Sequence, residues 1–304
     1  MHIGTSLFSD DIRTYRVYRT DFNSLTELEL YLSGDPPVNT VCFPVQKSVT
    51  LPEDFAGVPL TQAINYCHGG YTEGFPLFLK LKKELENTNQ KKSNFRRSVP
   101  SVVGSRPHVP NFIAGTPKTM WRLDRAGSRT FVDVYINLAY SGSTGDRQIR
   151  NRGILTLSLI NLFELNDMAV NLYVFEASMM KNEIFIANIK LKNPGQVLNT
   201  GKCYYPLCGK EFVRRLMLRV KESMPFTQNW GTGYGSELPG DLLKKYLKIG
   251  DNKILIGSPA DLGLKGDDIF EDAGLFFKSL SLSDNITVLR RKNERRNAQR
   301  HKHG

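Results

Sequence analysis

The chain has 304 residues, a net charge of +11 and a composition that is 40% hydrophobic and 23% charged, as expected of one large or two ordinary globular domains. No apolar run approaches the roughly 18–20 residues of a membrane span, and the N-terminus lacks the basic-then-apolar pattern of a secretory signal. Four scattered cysteines are too few for a disulfide-stapled domain, so a cytoplasmic protein with reduced thiols and no membrane partner is expected.

In chain order, Tyr15, Val17 and Tyr18 mark a first strand. A short helix follows over 24–32, with Ser24 as N-cap and Glu27 three residues on. Residues 41–45 read as another short strand. Residues 60–67 and 74–85 read as a helical pair broken at Gly69-Gly70. Leu77, Phe78, Leu81 and Leu85 share one face of the second helix. The corner between them is dense in glycine, which supplies positive φ; the alternative is a binding loop that presents Tyr71 and Glu73. Residues 86–105 are polar and basic and predict an exposed connector. Pro107, Pro110 and Pro117 then bias the chain to extended or turn geometry as far as Trp121.

Residues 131–178 are the most informative stretch. A β-branched and aromatic run over 131–138 precedes turn chemistry at 141–146, an apolar helix over 149–165 and a second strand over 170–177. Such a βαβ unit predicts an α/β fold with a mainly parallel sheet flanked by helices. An edge or antiparallel strand is expected over 183–191 and a helix over 210–223, ended by Pro225. A Gly-rich loop over 228–239 leads to a helix at 241–247, a strand at 253–256 and a helix at 268–280 capped by Asp267 and Asp268. The expected organisation is an N-terminal α+β segment with a basic connector over 1–105, an α/β domain over 106–288, and a disordered basic tail over 289–304.

Open α/β sheets bind ligands at the carboxyl ends of their strands, which directs attention to residues 137–152. Asn137, Ser141, Ser143, Arg147, Arg150 and Arg152 form a candidate anion-binding loop, because hydroxyls and N–H groups at a helix N-terminus suit a phosphate. The alternative is that Asp146 caps the helix and the arginines are a solvated face. The loop is not a P-loop, since no Gly-Lys-Ser/Thr follows. A zinc site would have to join Cys203 and Cys208 to the adjacent Cys67 and His68, and neighbouring residues rarely ligate one ion together. His68 and His108 lie in no nucleophilic motif. No catalytic residue is assigned.

Charge is concentrated. Residues 80–106 carry eight Lys/Arg against two Glu, and residues 289–304 carry seven against one, so each segment holds +6 and the rest of the chain is near −1. Lys91, Lys92, Arg96 and Arg97 in the first, and Arg290, Arg291, Lys292, Arg295, Arg296 and Arg300 in the second, are candidate contacts to nucleic acid or an acidic protein partner. A solubilising terminus is the alternative for the tail.

The order strand, helix, strand, strand, helix, strand, helix over roughly 129–282 resembles a von Willebrand factor A-like domain. That resemblance implies a Mg²⁺ site on the loop after the first strand, built on Asp-x-Ser-x-Ser. Here the run is Asn137-Leu-Ala139-Tyr-Ser141, so only Ser141 matches, with Asp261 as a distant carboxylate. Loss of the charged ligand weakens a hard-cation site, and no metal or other cofactor is expected. Four local patterns together resemble an uncharacterised family carried by tailed bacteriophages and mobile elements. They are Gly69-Gly70-Tyr71-x-Glu73-Gly74, Val134-x-Ile136-Asn137, Asn151-Arg152-Gly153, and Ile254-Leu255-Ile256 with the later Asp268-Ile-Phe270-Glu271-Asp272. The resemblance spans about residues 10–282 and implies a phage or mobile-element protein in the host cytoplasm. The leading functional expectation is a non-enzymatic binding protein contacting nucleic acid or a nucleic-acid-handling complex. The alternatives are a protein–protein adaptor using the 137–152 loop, and an enzyme acting on a phosphorylated substrate there.

Overall fold

The structure is a computed structural model that describes residues 2–88, 97–104, 106–124, 130–166, 168–230, 234–249 and 253–280. The N-terminal part carries β1 (His2–Ser9), β2 (Thr14–Phe22), α1 (Leu25–Ser33), α2 (Lys47–Thr50), α3 (Glu53–Ala56), α4 (Leu60–Asn65) and α5 (Phe75–Thr88). A small sheet follows, ordered β3-β5-β4, from β3 (Arg97–Ser101), β4 (Arg106–Pro107) and β5 (Met120–Asp124), with α6 (Val109–Ile113) between β4 and β5 in the chain. The βαβ unit comprises β6 (Thr130–Asn137), α7 (Asp146–Leu165) and β7 (Met168–Met180). After it come β8 (Glu183–Lys192), α8 (Thr200–Cys208), a π-helical stretch (Phe212–Met217) and α9 (Leu218–Glu222). The last elements are β9 (Ser236–Glu237), α10 (Gly240–Leu247), β10 (Lys253–Ile256) and α11 (Ile269–Ser279).

The main sheet has seven strands, ordered β1-β2-β8-β7-β6-β10, with β9 paired to the far end of β7. β6 is parallel to β7 and to β10, and β2 is parallel to β8. The β1–β2, β7–β8 and β7–β9 pairs are antiparallel. The predicted βαβ unit is present, with β6 and β7 in parallel register from Thr130↔Met168 to Asn137↔Phe175. The antiparallel β8 lies inside the sheet, because β2 pairs along its other side. The first residues of the chain therefore share one sheet with the later α/β segment.

Side-chain alternation on the strands builds two unequal cores. Val132, Val134, Ile136, Val170, Leu172, Val174, Phe185 and Ile189 face the larger one, against α7, α8 and the π-helical stretch. Tyr15, Val17, Phe175, Ala177, Ile184 and Ile186 face the smaller one, against Leu242 and Leu243 of α10. Burial on both faces explains the near-continuous apolar runs of the central strands. No helix among the described residues is long and apolar enough to cross a membrane.

Two local expectations are corrected. Residues 41–45 form no strand; they make a turn that buries Cys42 and Phe43, and the Cys42 carbonyl accepts from Trp230 N. Only Cys42 and Phe43 of the run enter the core, while Val41 and Val45 stay exposed, and none of it pairs in a sheet. The connector is also more structured than expected, since its end supplies β3 and α6 follows within the proline-rich stretch.

Candidate functional site

β6 ends at Asn137, while β7 continues to Met180. Beyond Asn137 the chain turns away, and β9 takes its place beside β7 through Ser178↔Glu237 and Met179↔Ser236. At this step in the sheet lies a cleft of about 270 Å³. Its walls include Phe55, Tyr140, Glu176, Arg214, Lys221 and Glu237. The position is the carboxyl end of parallel strands, where open α/β sheets place ligands.

The six loop residues expected to gather around an anion do not converge. Asn137 is buried; its Nδ2 donates to Glu237 Oε1 at 3.0 Å and its Oδ1 accepts from Ala139 N at 3.1 Å. Ser141 and Ser143 are exposed, with their hydroxyls 3.0 Å apart. Arg147 is exposed, whereas Arg150 pairs with Glu73 at 2.7 Å in the glycine-rich corner. Arg152 is buried and donates to the carbonyls of Asn137 and Gly257 at 2.7 and 3.4 Å. Burial lowers the Arg152 pKa from its ordinary value, as expected when a cation is desolvated. The helix start is closed by its own side chains: Gln148 Oε1 accepts from Gly145 N at 2.8 Å, and Asp146 pairs with Lys210 at 2.6 Å.

The weak metal candidates are likewise engaged in local bonds. Asp261 Oδ2 accepts from Ser258 N at 3.0 Å, and Ser141 bonds Ser143. Among the described residues no three His, Cys, Asp or Glu side chains group as metal ligands do. Cys67, Cys203 and Cys208 are buried, which pushes each thiol up and makes it inert. His68 pairs with Glu29, and His108 caps α6 by accepting from Asn111 N. In the glycine corner, Gly69, Gly70 and Gly74 all have positive φ, and Tyr204 OH donates to the Glu73 carbonyl at 2.8 Å. That corner therefore latches onto α7 and α8.

The residues that shape the cleft were not singled out by the sequence reading. Glu176 lies in an apolar strand, and its Oε1 accepts from the buried Lys221 ammonium. The Lys221 Nζ also donates to the Tyr234 carbonyl at 3.1 Å. Arg214 lies 4.1 Å from the Phe55 ring centroid and 5.5 Å from that of Tyr140, and donates to the carbonyls of Phe55 and Thr144. Glu237 is pushed up to about 7, first by burial and then by the Asp261 charge. The available signal was a charge inside an apolar run, in Val174-Phe175-Glu176-Ala177 and in the stripe of the 210–223 helix. That helix carries a π-helical stretch, a feature frequent at functional sites.

Of the basic candidates, Lys91, Lys92, Arg96, Arg290, Arg291, Lys292, Arg295, Arg296 and Arg300 lie outside the described residues; Arg97 opens β3 opposite Asp124. Residues 6–284 match a family model described as a domain of unknown function, DUF7192. No curated protein and no solved structure matches the chain.

Proposed function

For this chain, which belongs to the DUF7192 family, we propose a non-enzymatic binding protein that contacts nucleic acid, or a nucleic-acid-handling complex, through its two basic segments. The observation that carries this reading is the partition of charge, with +6 in each of residues 80–106 and 289–304 against a body near −1. The disposition of the body's own arginines supports it. Arg152, Arg214 and Arg215 are buried and donate to backbone carbonyls, and Arg219 pairs with Asp35. Side chains committed in this way have few donors left for phosphate, which leaves the two basic segments as the stronger polyanion contacts. A phage or mobile-element origin and a host-cytoplasmic location belong to the same proposal and rest on the sequence resemblance.

The test is fluorescence polarisation with labelled single- and double-stranded oligonucleotides, for the full chain and for a deletion of residues 289–304. Affinity is expected to fall steeply between about 50 and 200 mM salt, and the deletion to weaken binding and flatten the slope. Equal binding by the truncated protein, with an unchanged slope, overturns the assignment of the tail.

A second reading is a protein–protein adaptor with a von Willebrand A-like core that uses the loop after β6. The order β6, α7, β7, β8, helices, β10, α11 and the outward Ser141 and Ser143 favour it. A partner captured by the full chain that survives nuclease and high salt, and is lost on Ser143→Trp, is the expected result. An enzyme acting on a phosphorylated substrate at that loop draws no support from the divergent directions of Arg147, Arg150 and Arg152.

A further inference from the structure

Among the described residues, the cleft at the end of β7 combines an unmet hydrogen-bonding group with a stacking wall. Glu176 is 3% exposed and lines the cleft. One of its oxygens, Oε1, is held by Lys221 and approached by Ser178 Oγ at 3.5 Å. The other, Oε2, has no hydrogen-bond partner. A carboxylate oxygen only accepts, so its complement is an N–H or O–H donor on a ligand. Arg214 also lines the cleft, with its guanidinium over the Phe55 ring and near that of Tyr140, and Leu51, Val213 and Leu218 add apolar surface. Aromatic rings with a guanidinium favour a flat π-system.

Charge narrows the ligand further. Lys47, Arg214 and Lys221 line the cleft together with Glu176 and Glu237; the cations outnumber the carboxylates and disfavour an organic cation, while a simple anion leaves Glu176 Oε2 unmet. A neutral planar heterocycle with an amino donor satisfies both conditions. The volume of about 270 Å³ is below the range of about 300–1,000 Å³ typical of drug-sized ligands and suits a single nucleoside-sized one. We propose that this cleft takes one unpaired nucleobase bearing an exocyclic amino group, adenine, cytosine or guanine, whose N–H donates to Glu176 while its face rests on the Phe55–Arg214–Tyr140 wall. Uracil and thymine have a carbonyl in place of the exocyclic amino group and keep only the ring N3–H as a donor, so they lose the amino contact. The choice of a nucleobase rests on the nucleic-acid reading above; the acceptor and the stacking wall do not.

The experiment is isothermal titration calorimetry of the full chain with AMP, CMP, GMP and UMP. The three amino-bearing nucleotides are expected to bind at least about tenfold more tightly than UMP, one good base contact being of that order. In Glu176→Gln, Lys221 can only donate and so retains the amide oxygen, which leaves the amide NH₂ where Oε2 stood. The preference should invert, with UMP gaining and AMP and CMP losing about tenfold each. Absence of binding by all four, equal affinities, or an equal loss for all four in Glu176→Gln overturns the proposal. Circular dichroism checks that the variant folds. If it does not, Leu218→Trp fills the cleft from a partly exposed position and leaves the Glu176–Lys221 pair intact; nucleotide binding that survives this change also overturns the proposal. The two readings fail separately. Mononucleotide binding that persists when residues 289–304 are deleted without effect on oligonucleotides removes the tail assignment alone, and tail-dependent oligonucleotide binding without mononucleotide binding removes the cleft assignment alone.

Discussion

The Arg215 guanidinium donates to five carbonyls, those of Ser48, Val49, Leu51, Gly57 and Val58. It thereby ties the irregular 48–58 segment to the π-helical stretch. A lysine has a single ammonium in place of this planar fork. Arg215→Lys should leave several carbonyls unmet and cost about 2–4 kcal/mol, read from urea unfolding. Glu237 gives a pH-dependent prediction. Its folded pKa of about 7 lies above the ordinary value of about 4.3, so its contribution to stability is full below about pH 4.3 and is lost as pH rises through 7. Glu237→Gln resembles the protonated form and keeps an oxygen for Asn137 Nδ2. Its Tm should be close to wild type at pH 5 and about 2–4 °C higher at pH 8. A variant no more stable at pH 8 would mean that Glu237 ionises there without penalty.

Elements show where local rules suffice and where they do not. The cap at Ser24 was readable because it is local: Ser24 Oγ accepts from Glu27 N at 3.1 Å, and Ser24→Ala should cost about 1 kcal/mol in a thermal melt. Asp268 likewise caps α11 by accepting from Phe270 N at 2.9 Å. Gly153 is the opposite case. Helix propensity alone says that Gly153→Ala in α7 stabilises by up to about 1 kcal/mol. A Cβ there would lie 2.4 Å from the Leu207 carbonyl oxygen and 2.5 Å from Cys208 Sγ, where α8 crosses α7. Overpacking against backbone should win, for a net loss of about 1–3 kcal/mol measurable by denaturant titration. The turn at 41–45 was misread for a related reason. A short apolar run suits a strand or a buried turn equally, and contacts with Phe226 and Trp230, far along the chain, decide between them.

Across the whole molecule, charge and packing are segregated. Several cations of the folded body are buried and bonded, as with Lys192 to the Val170 carbonyl and to Glu164, others such as Arg147 and Lys181 are exposed, and the excess positive charge lies in two segments. Salt should therefore affect polyanion binding far more than stability. Raising salt from about 50 to 200 mM should change the Tm little, because buried pairs are weakly screened, while weakening oligonucleotide binding steeply; differential scanning fluorimetry and polarisation read the two effects in parallel. The sequence by itself determined the α/β class, the parallel β6–β7 unit, the helix caps and the partition of charge. Each of these depends on composition, periodicity or neighbours a few residues apart. Only the tertiary structure decided that Arg150 turns to Glu73, that β2 and β8 join the two parts of the chain in one sheet, and that Glu176 meets Lys221 and Arg214 meets Phe55. Those contacts join residues 45 to 167 positions apart, and side-chain direction at such separations is set by how the elements pack, which no local pattern encodes.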